Sequence, residues 1–249
     1  MATWIIGDIH GCAEELRELL QRIDPGPTDT VVSVGDLLSR GPDPAGVCDA
    51  LAEVDARFII GNHELAILRR VGIAPKRHDG ADRGQIPVDL PELDAEDLAG
   101  DGRTPCHAEP HRREDVLRYL QGHSGYLIRS GDLEHAGRTP DGREWIVVHA
   151  GFDPKKRPED QPIEALCSIR RLQRRRGKPY WYEKWKGPEL VLFGHTHSPM
   201  PRVHSIGATK VAIGLDTGCV YGGALTAYSP ELDAFESVPA AQRAIRVVG

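Results

Sequence analysis

A chain of 249 residues with 40% hydrophobic and 27% charged side chains is long enough to bury a sizeable core, and its composition is that of an ordinary water-soluble globular protein. The formal net charge of -6 argues against a nucleic-acid binder that works through overall positive charge, leaving room only for a local basic patch. No apolar stretch reaches the length of a membrane-crossing helix, so no membrane partner is expected. Met1 to Ile6 runs straight into a strand-like segment, so no signal peptide is expected ahead of the fold. The cysteines Cys12, Cys48, Cys106, Cys167 and Cys219 are odd in number and dispersed, with no C-x-x-C pair. They read as reduced thiols of a cytoplasmic protein, not as a disulfide framework or a zinc–cysteine site.

The predicted elements follow one pattern along the chain. A short apolar run ends in glycine and a polar, metal-competent residue. Trp4-Ile5-Ile6 leads to Gly7-Asp8-Ile9-His10-Gly11, and Val31 to Val34 leads to Gly35-Asp36. Phe58-Ile59-Ile60 leads to Gly61-Asn62-His63-Glu64. Trp145 to Val148 leads to His149-Ala150-Gly151, and Leu190 to Phe193 leads to Gly194-His195-Thr196-His197. Such runs, bounded by turn residues, predict buried strands. Leu16, Leu19, Leu20 and Ile23 share a helix face, as do Leu65, Leu68 and Val71 more loosely. Strand, glycine turn and helix in alternation predict an α/β fold, in which ligands bind beyond the carboxyl ends of the strands. The five polar clusters would converge there. Residues 75–115 differ. They are polar and rich in proline and glycine, with eight acidic residues from Asp79 to Asp101. They read as an insertion or lid over the active-site face of one domain spanning residues 1–249.

The clusters supply Asp8, His10, Asp36, Asn62, His149, His195 and His197: two carboxylates, one amide and four imidazoles. Each residue alone could be an ordinary turn former. Five hits of one type, each at a strand end, are hard to reconcile with coincidence. Oxygen and nitrogen donors without thiolate suit a catalytic transition-metal centre. The set is too large for one ion and suited to two, bridged by a carboxylate. Metals about 3.5–4 Å apart polarise a phosphoryl group and lower the pKa of a bridging water, so that hydroxide forms near neutral pH.

Taken in order, Gly7-Asp8-Ile9-His10-Gly11, Gly35-Asp36-Leu37-Leu38-Ser39-Arg40-Gly41, Gly61-Asn62-His63-Glu64, His149-Ala150-Gly151 and Gly194-His195-Thr196-His197 resemble the motifs of calcineurin-like metallophosphoesterases. More narrowly, they resemble the phosphoprotein phosphatase group, which includes the bacterial symmetrical diadenosine tetraphosphatases. The stretch Gly214-Leu215-Asp216-Thr217-Gly218-Cys219-Val220-Tyr221-Gly222-Gly223 is also similar to that bacterial branch. The resemblance spans residues 4–228. It implies a central β-sandwich of two mixed sheets flanked by helices. It also implies two divalent ions, manganese foremost, with iron, zinc, nickel and cobalt as alternatives. Asp8 and His10 would bind the first ion, Asp36 would bridge, and Asn62, His149 and His195 would bind the second. His63 would be the general acid, and Arg40 would grip the phosphate with its guanidinium fork. Arg170, or Arg171 as a fallback, would add a second phosphate contact, and Tyr221 could reach the same region.

Two positions depart from the pattern. Ser39 stands where the family usually carries an aspartate that hydrogen-bonds the catalytic histidine. His197 is a metal ligand in the wider superfamily, but the narrow group often has another residue there, so ligand and hydrogen-bonded turn residue both stay open. Glu64 reads as a support for the site or as an acidic residue of a helix's first turn. Asp216 ends another apolar run, Val211 to Leu215, and reads first as a structural turn and second as a member of the site. The basic run Arg170, Arg171, Arg174, Arg175, Arg176 and Lys178 reads mostly as a solvated helix face. Tyr180, Trp181, Tyr182 and Trp185 read first as packing and second as a platform for a nucleobase. The expected activity is hydrolysis of a dinucleoside polyphosphate. The alternatives are a serine/threonine protein phosphatase and, less favoured, a non-catalytic phosphate-binding protein. The partner is accordingly a nucleotide or a phosphoprotein.

Overall fold

The computed structural model describes residues 1–72, 112–173 and 176–241. In its first strand, β1 (Thr3–Ile6), every side chain is buried, and alternation divides them between two apolar clusters. Ile5 faces Val32, Trp145, Val147, Leu190, Leu192 and Ile213, while Trp4 and Ile6 join the cluster that holds the helices. The first cluster draws on two sheets and is the interior of a β-sandwich.

One sheet has the order β10-β9-β1-β2-β3. Here β2 (Thr30–Ser33) and β3 (Arg57–Phe58) run parallel to β1, while β9 (Ala224–Ser229) and β10 (Ala234–Pro239) close the sheet antiparallel. The other has the order β4-β5-β6-β8-β7. Its parallel centre is β5 (Trp145–Val148), β6 (Leu190–Phe193) and β8 (Thr209–Gly214), edged antiparallel by β4 (Leu127–Arg129) and β7 (Arg202–Ile206). The parallel strands are apolar on both faces, because one face meets the opposite sheet and the other meets helices. The expected sandwich of two mixed sheets is what the chain forms.

Helix α1 (Ala13–Ile23) buries Leu16, Leu19, Leu20 and Ile23, as their spacing predicts. It stops where Asp24 turns left-handed (φ 42°) and donates its N–H to Leu20 O. Helix α2 (Pro44–Glu53) carries no strong periodicity. Its local signal is a start device: Asp43 Oδ1 accepts the Gly46 N–H at 2.8 Å, and proline occupies the first turn. Helix α3 (Asn62–Arg70) buries Leu65 and Leu68, with Val71 half-buried just beyond its end. Helix α4 (Arg113–Leu120) and the short α5 (Ile163–Ser168) complete the outer layer among the described residues.

Most of the 75–115 insertion lies outside the described residues; its last residues begin α4, beside the Arg112–Asp49 ion pair at 2.6 Å. Arg174 and Arg175 of the basic run lie outside the described residues, and Arg170, Arg171, Arg176 and Lys178 belong to no helix. Arg171 instead bridges to Tyr180, donates to Lys178 O at 3.0 Å and lays its guanidinium 3.8 Å from the Tyr180 ring centroid. Trp181, Tyr182 and Trp185 are buried and pack on Phe152 and Phe193. They are core, and Arg171 covers Tyr180, so this cluster offers no free platform.

Candidate metal centre

The strand ends on one side of the sandwich carry the site. Asp8 and His10 follow β1, Asp36 follows β2, Asn62 and His63 open α3 after β3, His149 follows β5 and His195 follows β6. Several residues here leave the usual backbone regions: His10 (φ 49°), Asp36 (φ 51°), Ser39 (φ 71°), Arg40 (φ 70°) and His195 (φ 62°). Clustered strain of this kind marks functional sites. Glycine explains the motif grammar. A Cβ at Gly194 would collide with Asp8 Oδ1, and one at Gly61 would collide with Asp36 Oδ1. The glycines before His195 and Asn62 therefore make room for carboxylates from other strands.

Asp36 is the centre of the arrangement. Its Oδ2 lies 3.6 Å from His10 Nε2 and 3.4 Å from His149 Nε2, and its Oδ1 accepts the His63 backbone N–H at 3.1 Å. Donor atoms of His10, Asp36 and His63 converge within 4.8 Å, and those of Asp36, His149 and His195 do the same. Asn62 Oδ1 is 3.1 Å from His149 Nε2. Asp8 lines the same cleft, with both carboxylate oxygens accepting the His195 N–H at 3.1 and 3.0 Å. The second nitrogens of the imidazoles are anchored to backbone carbonyls: His10 Nδ1 to Leu38 O (3.2 Å), His149 Nδ1 to Val34 O (2.9 Å) and His195 Nε2 to Ser168 O (3.2 Å). Such anchoring fixes which nitrogen faces a cation.

Burial and mutual charge set the protonation of these side chains. Burial lowers His10 to about 3, and burial together with His149 lowers His195 to about 3, so both rings are neutral. Burial opposes a charge on His149, but Asp36 outweighs it and holds that ring up at about 10. Burial likewise opposes a charge on Asp36, yet the neighbouring imidazoles His149 and His63 hold its carboxyl well below the usual range. Burial and the nearby Asp216 push Asp8 well above it. Carboxylates crowded this closely, beside the neutral rings of His10 and His195 and the protonated ring of His149, form a set suited to divalent ions.

Arg40 and Tyr221 meet over the cleft: Arg40 Nη1 donates to the Tyr221 hydroxyl and lies 3.5 Å from His10 Nε2. Arg170 lines the cleft, with one Nη donating to His195 O at 3.1 Å, whereas Arg171 is engaged with Tyr180 and Lys178. His197 lines the cleft from an exposed position, its ring centroid 5.5 Å from that of Tyr221. Ser39 is fully buried.

Two residues whose sequence left two readings open take up both. Asp216 makes the expected turn, accepting from Gly218 N at 3.2 Å, but it is 7% exposed and also lines the cleft. The signal was available, since β8 ends in Gly214 as the other strands end in their motifs. Glu64 does open α3, and it also accepts four backbone N–H groups: Asp36 (2.8 Å), Leu37 (3.0 Å), Leu38 (3.2 Å) and Gly61 (3.1 Å). Burial, then Asp36, raises Glu64 to about 7.

Among the described residues, no helix is long and apolar enough to cross a membrane. Comparison with known proteins agrees with the geometry. The model of the calcineurin-like phosphoesterase family matches residues 1–199. A symmetrical bis(5'-nucleosyl)-tetraphosphatase of Photorhabdus laumondii is 36% identical, over 91% of this chain and 92% of that protein. An asymmetrical bis(5'-nucleosyl)-tetraphosphatase of Halalkalibacterium halodurans is 28% identical, over 96% of this chain and 94% of its own. The crystal structure of a candidate diadenosine tetraphosphatase superposes with a TM-score of 0.69 at 29% identity, covering 96% of this chain and 93% of the other. That family requires divalent metal ions, and the donor groups around Asp36 fit them. The chain belongs to the calcineurin-like phosphoesterases, hydrolases of phosphate esters.

Proposed function

We propose that the protein is a dinuclear metal-dependent hydrolase of dinucleoside polyphosphates, with diadenosine tetraphosphate as the type substrate. The observation that carries this reading is the Asp36 carboxylate, one oxygen of which lies between His10 and His149 at 3.6 and 3.4 Å. In this reading Asp8, His10 and Asp36 hold one divalent ion, and Asp36, Asn62, His149 and His195 hold the other. His197 is a further candidate ligand at the rim. Manganese is the expected occupant. When bound, the two ions would polarise the phosphoryl group and activate water as the nucleophile.

The remaining steps belong to the side chains. Arg40 and Arg170 orient the polyphosphate, Arg40 through its guanidinium fork with the Tyr221 hydroxyl steadying it. His63, whose ring centroid lies 4.9 Å from that of His10, supplies the proton that the leaving oxygen needs. Asp8 fixes the His195 backbone, and Glu64 fixes the turn that carries Asp36. The relatives carry names for both symmetrical and asymmetrical cleavage, which supports the substrate class and leaves the cleaved bond to experiment. We read residues 1–249 as one domain, with 75–115 as an insertion or lid. A cytoplasmic location is part of the reading, supported by four free thiols among the described residues.

The test is a substrate comparison with manganese-loaded protein. Diadenosine tetraphosphate should be consumed faster than a phosphoserine or phosphothreonine peptide. Two ADP would mark symmetrical cleavage, and ATP plus AMP asymmetrical cleavage. Turnover of the phosphopeptide alone would establish the protein phosphatase instead.

A further inference from the structure

Three buried side chains that the proposed chemistry does not use converge beside α1. Cys12, Glu15 and Cys219 are 5%, 7% and 3% exposed. One donor atom from each, two sulfurs and a carboxylate oxygen, lie within 4.8 Å of one another. Their sequence positions gave no hint of this, because the dispersed cysteines read as isolated thiols. The fold supplies the proximity. Cys12 is the N-cap of α1 and Glu15 sits three residues on, so helical spacing puts both side chains on one face. Cys219 opens the short 3₁₀ turn Cys219–Tyr221, which follows β8 and reaches back to that face. The Ala241 N–H donates to Glu15 Oε1 at 2.9 Å and orients the carboxylate. A groove bordered by Arg17 and Asp43 has Cys12, Glu15 and Cys219 in its lining.

We propose that Cys12, Glu15 and Cys219 form a second, thiolate-bearing cation site, distinct from the Asp36 centre and suited to a divalent ion of the zinc class. Two thiolates and one carboxylate are a borderline-soft donor set, which selects zinc-like ions over manganese. Three protein ligands leave a fourth tetrahedral position, and the groove gives water access to it. The Asp36 centre offers only oxygen and nitrogen, so the two sites sort cations by softness. A cation here would tie the start of α1 to the turn that carries Tyr221, and Tyr221 accepts a hydrogen bond from Arg40.

The experiment titrates the fully reduced, metal-depleted protein with cobalt(II) and reads the near-ultraviolet thiolate-to-metal charge-transfer band. Only a sulfur-bearing site gives that band, so it reports independently of the Asp36 centre and of turnover. The proposal predicts the band in the native sequence, its loss when zinc(II) is added, and one equivalent less cobalt bound by Cys12→Ser/Cys219→Ser. Cys48→Ser/Cys167→Ser should keep the band. Absence of the band from the native sequence overturns the proposal whatever the variants do. Persistence of the band in a folded Cys12→Ser/Cys219→Ser protein overturns it too. If that double variant does not fold, Glu15→Gln serves in its place: it should keep the band but require more cobalt to reach it, and an unchanged titration counts against the site.

Discussion

Glu64 Oε2 accepts the backbone N–H of Asp36 at 2.8 Å, while Oε1 takes those of Leu37 and Leu38. A buried carboxylate thus holds the turn on which the candidate bridging ligand stands. Glutamine keeps the size but has one acceptor oxygen. Glu64→Gln should leave buried N–H groups unmet, at about 1–3 kcal/mol each. Thermal unfolding should show that loss, and manganese affinity should fall with it. A variant of native stability and native affinity would remove Glu64 from the account.

The pairing of His149 with Asp36 predicts a proton count. His149 is held at about 10 in the metal-free chain, above the ordinary histidine value of 6.5. A raised histidine contributes stability that is complete below 6.5 and is lost as pH climbs through 10. A cation needs the neutral ring. Metal uptake between about pH 7 and 9 should therefore expel a proton, visible in calorimetry as a heat that changes with the ionisation enthalpy of the buffer. Heats identical in all buffers would contradict the pairing.

His63→Asn should lower turnover by roughly 10²–10⁴-fold, the range of a lost general acid. Manganese content should stay unchanged. Because His63 shares a donor cluster with His10 and Asp36, loss of a metal equivalent instead would make it a ligand.

Ser39→Asp tests the departure from the family pattern. Ser39 has φ 71°, a left-handed conformation that aspartate tolerates better than most residues. If His63 is the acid and position 39 faces it as in the family pattern, a carboxylate there would stabilise the protonated imidazole. The alkaline limb of the pH–rate profile should then move to higher pH, with some cost in stability, since Ser39 is fully buried. An unmoved profile would mean that Ser39 does not influence the acid.

Tyr221→Phe removes the hydroxyl that Arg40 reaches. One such hydrogen bond contributes about 1 kcal/mol, so KM should rise roughly fivefold with kcat nearly unchanged. A loss confined to kcat would instead assign Tyr221 to the chemical step.

Much of this was legible in the sequence. The strand ends carrying Asp8, Asp36, Asn62, His149 and His195 announce themselves because a parallel strand buried on both faces must be apolar throughout, and its glycine turn must be polar. The α1 face was readable from Leu16, Leu19, Leu20 and Ile23 for the same reason of periodicity. What escaped depends on tertiary contact. The basic run read as a helix face, but Arg171 is fixed by the Tyr180 ring and the Lys178 carbonyl, neither of which periodicity can announce. For Glu64 the sequence left site support and helix start both open, because its partners on the Asp36 turn are distant in sequence. Cys12 and Cys219 looked unrelated because only the fold brings their sulfurs together.

The central claim is that Asp36 joins two cations. Manganese is the right probe, because the sulfur-bearing set around Cys12 disfavours it. Manganese bound per chain should be measured on the native protein and on Asp36→Asn after extensive dialysis, together with the electron paramagnetic resonance signal. The account predicts two spin-coupled manganese ions in the native protein, and loss of both the coupling and at least one ion in Asp36→Asn. A single uncoupled ion in the native protein, or two coupled ions surviving in Asp36→Asn, would contradict it.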